Sequence, residues 1–213
     1  MDFIARNTTI PVPRVLEVFV IRGSTHIVQE YIDAPVLEDV WTRMSLEEKE
    51  SCMIQLKGYV DQLRGLVPPE LARVQAVDGT GCIDDRLYPG VWGPFDSIDE
   101  FNAFFFHDIV RQRPEHYPDA QGPLAKTHGR TWRIVFAHGD LGPHNILWRD
   151  GRIAGIIDWE CAGWFPEYWD YTRAYFTSAY SLPSWWEMFI RSMDQYPAEL
   201  EVERCLSAYF VRI

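Results

Sequence analysis

Lysine is scarce in this sequence, with only three lysines beside seventeen arginines, and the first of the three is Lys49. Chemistry that requires a lysine side chain therefore has very few candidates. No two cysteines stand in a Cys-x-x-Cys pair, so there is no sign of a zinc or redox motif, and the four scattered cysteines fit free thiols in the cytoplasm. Neither an apolar run of about 18 residues nor a signal-peptide pattern occurs, which predicts no membrane span.

Acidic residues outnumber basic ones by 31 to 20, which gives a net charge of -11. Such a surface repels phosphate backbones and anionic membranes, so neither nucleic acid nor a membrane is an expected partner. The same charge is compatible with a cationic small molecule drawn into an acidic cleft. The 213 residues, 47% of them apolar, suffice for one domain, or one domain and a fragment, with a buried core.

The hydrophobic pattern predicts a mixture of strands and helices. Two β-rich runs on either side of Gly23 predict a hairpin, and its apolar side chains must pack on another part of the protein. Ser45 and Glu48 form a capping-box pattern that opens a helix ending near Gly65. The remaining predicted elements are a hairpin across 74–83, a helix over 97–110, a loop over 111–131, strands at 134–137, 146–148 and 153–157, and helices over 167–180, from 183 and over 198–211.

Acidic and amide side chains concentrate between the last three predicted strands. Asp140 and Asn145 stand at opposite ends of one short loop, and the hairpin that follows returns the chain so that Asp158 ends a strand beside them. Three convergent oxygen groups fit phosphoryl transfer, in which Asp140 accepts or orients the proton of a substrate hydroxyl. Asn145 and Asp158 would bind Mg²⁺, which prefers oxygen ligands. Their order and spacing match the catalytic motifs of protein kinases, but Gly139 replaces the arginine and Trp159-Glu160 replaces Phe-Gly, which points away from protein kinases proper.

Other interpretations of these side chains stay open at this point. His138 and His144 with Asp140 could form a hydrolase metal cluster, but zinc needs three well-placed nitrogen or sulfur ligands and no second cluster occurs. A packing role for His138, donating to a carbonyl group, and an exposed His144 are the simpler alternatives. The acidic residues near the predicted hinge can be a solvated face or bind substrate: Asp33, Glu38 and Asp39.

The segment His138-Gly-Asp-Leu-Gly-Pro-His-Asn145, with Ile157-Asp-Trp-Glu160 and the residues that follow as far as Asp170, resembles the aminoglycoside phosphotransferase (choline-kinase-like) family, especially its fungal members. The resemblance runs from about Thr9 to the end of the chain and is strongest over 136–172. Residues 10–13 and 29–33 are similar to the family's lead-in and interlobe hinge.

The resemblance implies an α+β, protein-kinase-like fold of two lobes, with ATP and Mg²⁺ as cofactors. Residues 1–32 would form an incomplete N-terminal β lobe with the hinge, and 33–213 a mainly α-helical catalytic lobe. The implied roles are a catalytic base at Asp140, adenine contacts from the Glu30 carbonyl and the Ile32 N–H, metal ligands at Asn145 and Asp158 with help from Glu160, and a loop brace at Asp170.

Two functional hypotheses follow. The first is an ATP-dependent phosphotransferase that acts on a small hydroxylated or aminated molecule. The second is a truncated, non-catalytic relative, because the 29 residues before Glu30 contain a single glycine, Gly23, and no lysine. Kinase-like ATP sites use a glycine-rich turn and a strand lysine. The resemblance thus implies a chain that begins partway through the N-terminal lobe. The acceptor substrate and the oligomeric state are left open.

Overall fold

The structure is a computed structural model that describes residues 1–210 as a mixture of helices and short strands. The helices are α1 (Asp2–Asn7), α2 (Leu37–Val40), α3 (Leu46–Arg64), α4 (Ile98–Phe104), α5 (His107–Gln112), α6 (Pro118–Thr127), α7 (Trp169–Ser178), α8 (Pro183–Ser192) and α9 (Pro197–Phe210). The strands are β1 (Val15–Ile21), β2 (Ser24–Gln29), β3 (Gln75–Ala76), β4 (Cys82–Asp84), β5 (Tyr88–Trp92), β6 (Ile134–Ala137), β7 (Ile146–Arg149), β8 (Arg152–Ile156) and β9 (Gly163–Pro166). None of these helices is long and apolar enough to cross a membrane.

A three-stranded antiparallel sheet has the order β3-β9-β6, with β9 in the centre. In its register Ala137, the last residue of β6, lies opposite Gly163, the first residue of β9. The chain that leaves β6 therefore lies beside the chain that enters β9. The other strands form three two-stranded hairpins, β1–β2, β4–β5 and β7–β8.

The β7–β8 hairpin returns the chain to its starting point, since Ile146 lies opposite Ile156. One residue further out, the Ile157 N–H donates to the Asn145 carbonyl at 3.0 Å. Extended segments flank this hairpin on both sides. The Ile156 N–H donates to the Pro11 carbonyl at 2.8 Å, and the Trp148 N–H donates to the Pro35 carbonyl at 3.0 Å.

Helix α3 begins with the predicted capping box. The Ser45 hydroxyl accepts from the Glu48 N–H at 3.2 Å, and the Glu48 carboxylate accepts from the Ser45 N–H at 2.8 Å. These bonds satisfy two backbone donors that a helix start otherwise leaves free. The helix ends at Gly65 as predicted and buries one face against β6, β8 and α8: Cys52, Met53, Leu56, Val60 and Leu63. Burial of each large apolar side chain stabilises the fold by about 1.5–3 kcal/mol.

Large aromatic side chains dominate the main core. Four tryptophans are fully buried, Trp41, Trp164, Trp169 and Trp185, and the Phe165 ring stacks on Trp169 with 5.1 Å between centroids. A second, smaller apolar cluster joins α6 to α9: Val110, Ala120, Leu124, Val202 and Leu206. The four cysteines are free thiols, as predicted.

The predicted loop over 111–131 is wrong, because helix α6 occupies Pro118–Thr127. Gly122 and Pro123 lower its intrinsic helix propensity, but Ala120 and Leu124 pack on α9 and stabilise it. The single helix predicted over 97–110 is also wrong. Phe106 has a left-handed backbone with φ +69° and separates α4 from α5.

The predicted hairpin across 74–83 does not form. Strand β3 pairs with β9, and β4 pairs with β5 in a separate two-stranded sheet. The strand β9 was not predicted, and the helix expected from 167 begins at Trp169. The last helix agrees with its predicted span as far as Phe210, and position 211 lies outside the described residues.

The β1–β2 hairpin forms as predicted, although Ile32 lies beyond its second strand. The expectation that its apolar side chains pack on another part of the protein is wrong for the residues that the structure describes. Six of them are between 41% and 66% exposed: Leu16, Val18, Val20, Ile21, Ile27 and Val28. Few buried contacts therefore hold this hairpin.

An open cleft of about 640 Å³ lies between α4, α5 and the segment that precedes β6. It is at the end of β6 opposite to the 138–145 loop. His107 lines this cleft but is only 6% exposed. Burial, helped by the charge of Arg111, lowers the pKa of His107 to about 4.

The first prediction concerns acid stability. An unfolded histidine binds its proton near pH 6.5, whereas folded His107 binds it near pH 4. Between these values the unfolded state holds more protons, so the free energy of unfolding falls as the pH is lowered. Between pH 7 and pH 4 the free energy of unfolding should therefore decrease by roughly 3 kcal/mol less in His107→Gln than in the wild type.

Urea unfolding at each pH measures this difference. His116→Gln, which changes an exposed histidine, is the matched control and should keep the wild-type pH dependence. Parallel pH curves for the wild type and His107→Gln would contradict the prediction.

Candidate active site

The loop between β6 and β7 carries the residues that the sequence selected. It leaves the sheet at His138, turns at Asp140 and enters β7 through a short 3-10 turn over Pro143–Asn145. Leu141 and Pro143 are buried and anchor it on the core. The loop is therefore an ordered, packed part of the structure.

The Asp170 carboxylate holds the start of this loop. It lies at the first turn of α7 and accepts from the backbone N–H groups of His138 at 3.2 Å and Gly139 at 2.8 Å. Burial raises the pKa of Asp170, and the two N–H bonds oppose that rise by stabilising the carboxylate. The structure thus places Asp170 where the resemblance implied a brace.

Gly139 allows the loop to contact the segment before β9. Its φ is +80°, and a Cβ atom at this position would lie 2.4 Å from the Cys161 carbonyl oxygen. Only glycine combines this backbone conformation with so close an approach. The contact holds the Asp140 turn against residues 158–162.

His138 has a structural role. Its ring is fully buried, Nδ1 accepts from the Asp140 N–H at 3.2 Å, and Nε2 therefore donates to the Ile157 carbonyl at 2.9 Å. Burial lowers the pKa of His138 to about 4 and keeps the ring neutral at pH 7. Within residues 1–210 no three His, Cys, Asp or Glu side chains form a metal-binding group.

Asp140 is held at both carboxylate oxygens. Oδ1 accepts from Arg86, and Oδ2 contacts His144 Nε2 at 3.3 Å and Asn145 Nδ2 at 3.2 Å. Burial would raise the pKa of Asp140, but the hydrogen bond from His144 and the charge of Arg86 outweigh burial and lower that pKa to about 2. The hydrogen bond also raises the pKa of His144. Asp140 is therefore ionised and oriented at neutral pH.

Asn145 and Asp158 carry side-chain oxygen atoms that accept no hydrogen bond from the residues that the structure describes. The Asn145 amide group donates to the Asp140 carbonyl at 3.0 Å, which leaves its own Oδ1 without a donor among residues 1–210. Asp158 follows the Ile157 N–H that is bonded to Asn145, and no described side chain or N–H binds its exposed carboxylate. Its φ of +60° is unusual for a residue other than glycine. Glu160 is exposed in the same turn.

The two predicted adenine contacts lie in the extended segment after β2. The Glu30 N–H donates to the Arg14 carbonyl at 2.9 Å. Neither the Glu30 carbonyl nor the Ile32 N–H has a hydrogen-bond partner among the described residues. Ile32 lies over β8, where a Cβ on Gly155 would be 2.7 Å from Ile32 Cδ1. Both backbone groups are thus available to a ligand.

Two residues at this site were not recognised from the sequence. Arg86 and Asp84 come from the β4–β5 hairpin, which the sequence pattern did not predict; Arg86 contacts Asp140 from far along the chain, and Asp84 binds Arg86. For His144 the sequence left open a metal cluster with Asp140 or an exposed side chain, and the structure places it half-buried against Asp140. The adjacent Asp-Asp-Arg residues at 84–86 were the one available signal, and nothing local connects them to position 140.

The comparisons with known proteins give a family and a fold. The family model for the phosphotransferase enzyme family, APH, matches residues 1–202. A comparison with curated proteins gives no match.

Several solved aminoglycoside phosphotransferases are similar in structure. The apo form of a thermostable mutant of APH(4)-Ia has a TM-score of 0.60 at 16% identity, over 98% of this chain and 70% of that one. A ternary complex of another such mutant with ADP and hygromycin B gives 0.63 at 15%, over 96% and 69%. The GDP complex of aminoglycoside 2'-phosphotransferase-IIIa gives 0.61 at 12%, over 97% and 67%.

The present chain spans about two thirds of the length of these structures. They have a protein-kinase-like fold, which confirms the α+β, protein-kinase-like fold predicted from the sequence.

The second prediction concerns the loop brace. Asp170→Ala leaves the buried N–H groups of His138 and Gly139 without an acceptor, and each unsatisfied donor costs about 1–3 kcal/mol. We expect the free energy of unfolding to fall by about 3 kcal/mol in urea titrations. Asp61→Ala, which removes an exposed carboxylate paired with Lys57, is the control and should change it by less than about 1 kcal/mol. Equal effects of the two variants would rule out the brace.

Proposed function

The chain belongs to the phosphotransferase enzyme family, and from this premise we propose that it transfers the γ-phosphate of ATP to a hydroxyl group of a small molecule. The observation that carries the proposal is the convergence of Asp140, Asn145 and Asp158. Asn145 contacts Asp140 directly, and Asp158 follows the Ile157 N–H that donates to the Asn145 carbonyl, although the residues come from two different turns. An oriented carboxylate beside two free oxygen ligands suits phosphoryl transfer.

Asp140 is the proposed catalytic base. A carboxylate with a pKa of about 2 is a weak proton acceptor but a strong hydrogen-bond acceptor. Its main contribution is therefore to hold the acceptor hydroxyl in line with the phosphate and to take the proton late in the transfer. This division of labour fits the loose transition state of phosphoryl transfer, in which positioning matters more than strong base catalysis.

Asn145 and Asp158 are the proposed Mg²⁺ ligands, with help from Glu160. The donor set fits the metal because it consists of oxygen atoms that no described residue occupies, and phosphate oxygens and water complete such sites. Bound Mg²⁺ would neutralise charge on the phosphate oxygens. The amide hydrogens of Asn145 meanwhile hold the Asp140 carboxylate, so one side chain serves both groups.

The adenine edge is proposed to bind the Glu30 carbonyl and the Ile32 N–H. The support is that both groups lack a protein partner, and that solved structures similar to this chain hold ADP or GDP. The domain division at 32–33 follows from the same assignment. The acceptor is proposed to be a small hydroxylated or aminated molecule, and the net charge of -11 favours a cationic one.

A non-catalytic kinase-like relative without productive nucleotide binding is the second candidate. Kinase-like sites use a strand lysine to pair the phosphates, and residues 1–48 contain no lysine. The two candidates differ on Mg·ATP binding as well as on the role of Asp140.

The third prediction separates them. We expect Mg·ATP to bind far better than ATP without Mg²⁺, and Asp158→Asn to weaken Mg·ATP binding at least roughly tenfold in calorimetry, because the metal loses the negative charge of one of its proposed ligands. Asp140→Asn should keep the Kd within about threefold but lower turnover of a hydroxylated-amine panel at least about 100-fold.

Asp150→Asn changes an exposed turn aspartate and is the matched control, so it should match the wild type in both assays. Mg·ATP binding that is lost in Asp158→Asn would count against the non-catalytic relative. Wild-type protein that binds no Mg·ATP would contradict the phosphotransferase and favour the non-catalytic relative.

A further inference from the structure

Arg86 lies in the turn between β4 and β5 and connects two aspartates that are distant in the sequence. Its guanidinium group contacts the Asp84 carboxylate on one side and the Asp140 carboxylate on the other. The Arg86 side chain is 41% exposed, whereas Asp84 is buried. The buried partner therefore fixes the arginine, and the arginine reaches outward to the candidate site.

Asp84 makes three hydrogen bonds to the same residue. Its Oδ1 accepts from the backbone N–H of Arg86 at 3.1 Å and from Nε at 2.8 Å, and its Oδ2 accepts from Nη2 at 2.8 Å. A buried carboxylate is costly unless it is paired and hydrogen-bonded. Two parallel bonds to a planar guanidinium group set both its position and its plane.

The remaining donors of Arg86 contact the loop that carries Asp140. Nη1 donates to Asp140 Oδ1, and Nη2 also donates to the Gly139 carbonyl at 3.2 Å. Arg86 is the described donor to Oδ1, since His144 and Asn145 both contact Oδ2. Without Arg86 the carboxylate would be held at one oxygen and could rotate.

We propose that Arg86 is a positioning residue for Asp140. Anchored by Asp84, its guanidinium group holds the Asp140 carboxylate and the Gly139 peptide in the orientation that the acceptor hydroxyl requires. The proposal rests on the proposed function, because it assigns Arg86 a part in that same reaction. It also explains why a buried aspartate in a remote hairpin is directed at this arginine. A misplacement of about 1 Å at a reacting group is enough to slow a reaction by about 100-fold.

The fourth prediction compares two changes. Arg86→Gln removes the guanidinium group but leaves Asp84 buried and unpaired, which can unfold the protein. The double variant with Asp84→Asn and Arg86→Gln also removes the buried Asp84 charge. It therefore tests the loss of the guanidinium group without leaving an unpaired buried carboxylate. Arg133→Gln is the matched control, because Arg133 donates two bonds to the Glu167 carboxylate at the far end of β6.

Crystal structures without nucleotide test the position directly. In the double variant we expect the Asp140 carboxylate to move by on the order of 1 Å or to occupy several orientations, whereas Arg133→Gln should leave it in place. A carboxylate that stays where it is in the wild type overturns the proposal. This comparison needs no kinase activity, so it distinguishes failure of the proposal from failure of the proposed function.

Kinetics test the consequence of that movement. With Mg·ATP and water, or with an acceptor from the panel, we expect kcat of the double variant to fall at least roughly tenfold while KM for ATP stays within about twofold. Arg86→Lys should recover only part of kcat, because an ammonium group cannot bridge both carboxylates. An unchanged or increased kcat overturns the proposal, and if the wild type shows no turnover the crystal structures decide alone.

Discussion

The hydrogen-bonded register between β6 and β9 determines where the candidate site lies. It places the residues after Ala137 beside those before Gly163, so the Asp140 turn and the 158–162 turn meet at one edge of the sheet. The β7–β8 hairpin then brings Asn145 next to the same turn. A shift of one residue in either register would turn every side chain to the opposite face. The positions of the candidate site residues are therefore set by backbone pairing between strands.

Two aspartates of the site illustrate how environment assigns roles. Asp170 is buried and binds backbone N–H groups, so its carboxylate serves the loop and faces no solvent. Asp140 is partly buried and forms a salt bridge with Arg86, and part of its side chain is exposed to solvent. The pKa of Asp170 is raised and the pKa of Asp140 is lowered. Two aspartates of one site thus have different roles: Asp170 anchors the loop, and Asp140 is a charged hydrogen-bond acceptor on that loop.

The sequence predicted the parts of the fold that local patterns encode. The capping box at Ser45, the hairpin that joins Asn145 to Asp158 and the spacing of Asp140, Asn145 and Asp158 depend on residues that are close in the sequence. Strand β9 could not be predicted in this way, because four residues that end in proline carry no alternation and their partners are distant. Helix α6 has a low intrinsic helix propensity and forms because it packs on α9, which is distant in the sequence. The contact between Arg86 and Asp140 could not be predicted either, since only the folded β4–β5 hairpin brings the two residues together.

The exposed β1–β2 hairpin bears on how nucleotide affinity should be understood. Glu30 follows β2 directly, and its N–H bond to Arg14 continues the pairing of the two strands. A hairpin with so few buried contacts opens at low free-energy cost, and the Glu30–Arg14 hydrogen bond that continues the pairing breaks with it. The apparent affinity of a ligand is reduced by the fraction of molecules in which its site is not formed. Under the proposed adenine contacts, a measured Kd for nucleotide would therefore depend on how often the β1–β2 hairpin is formed as well as on the contacts that the nucleotide makes.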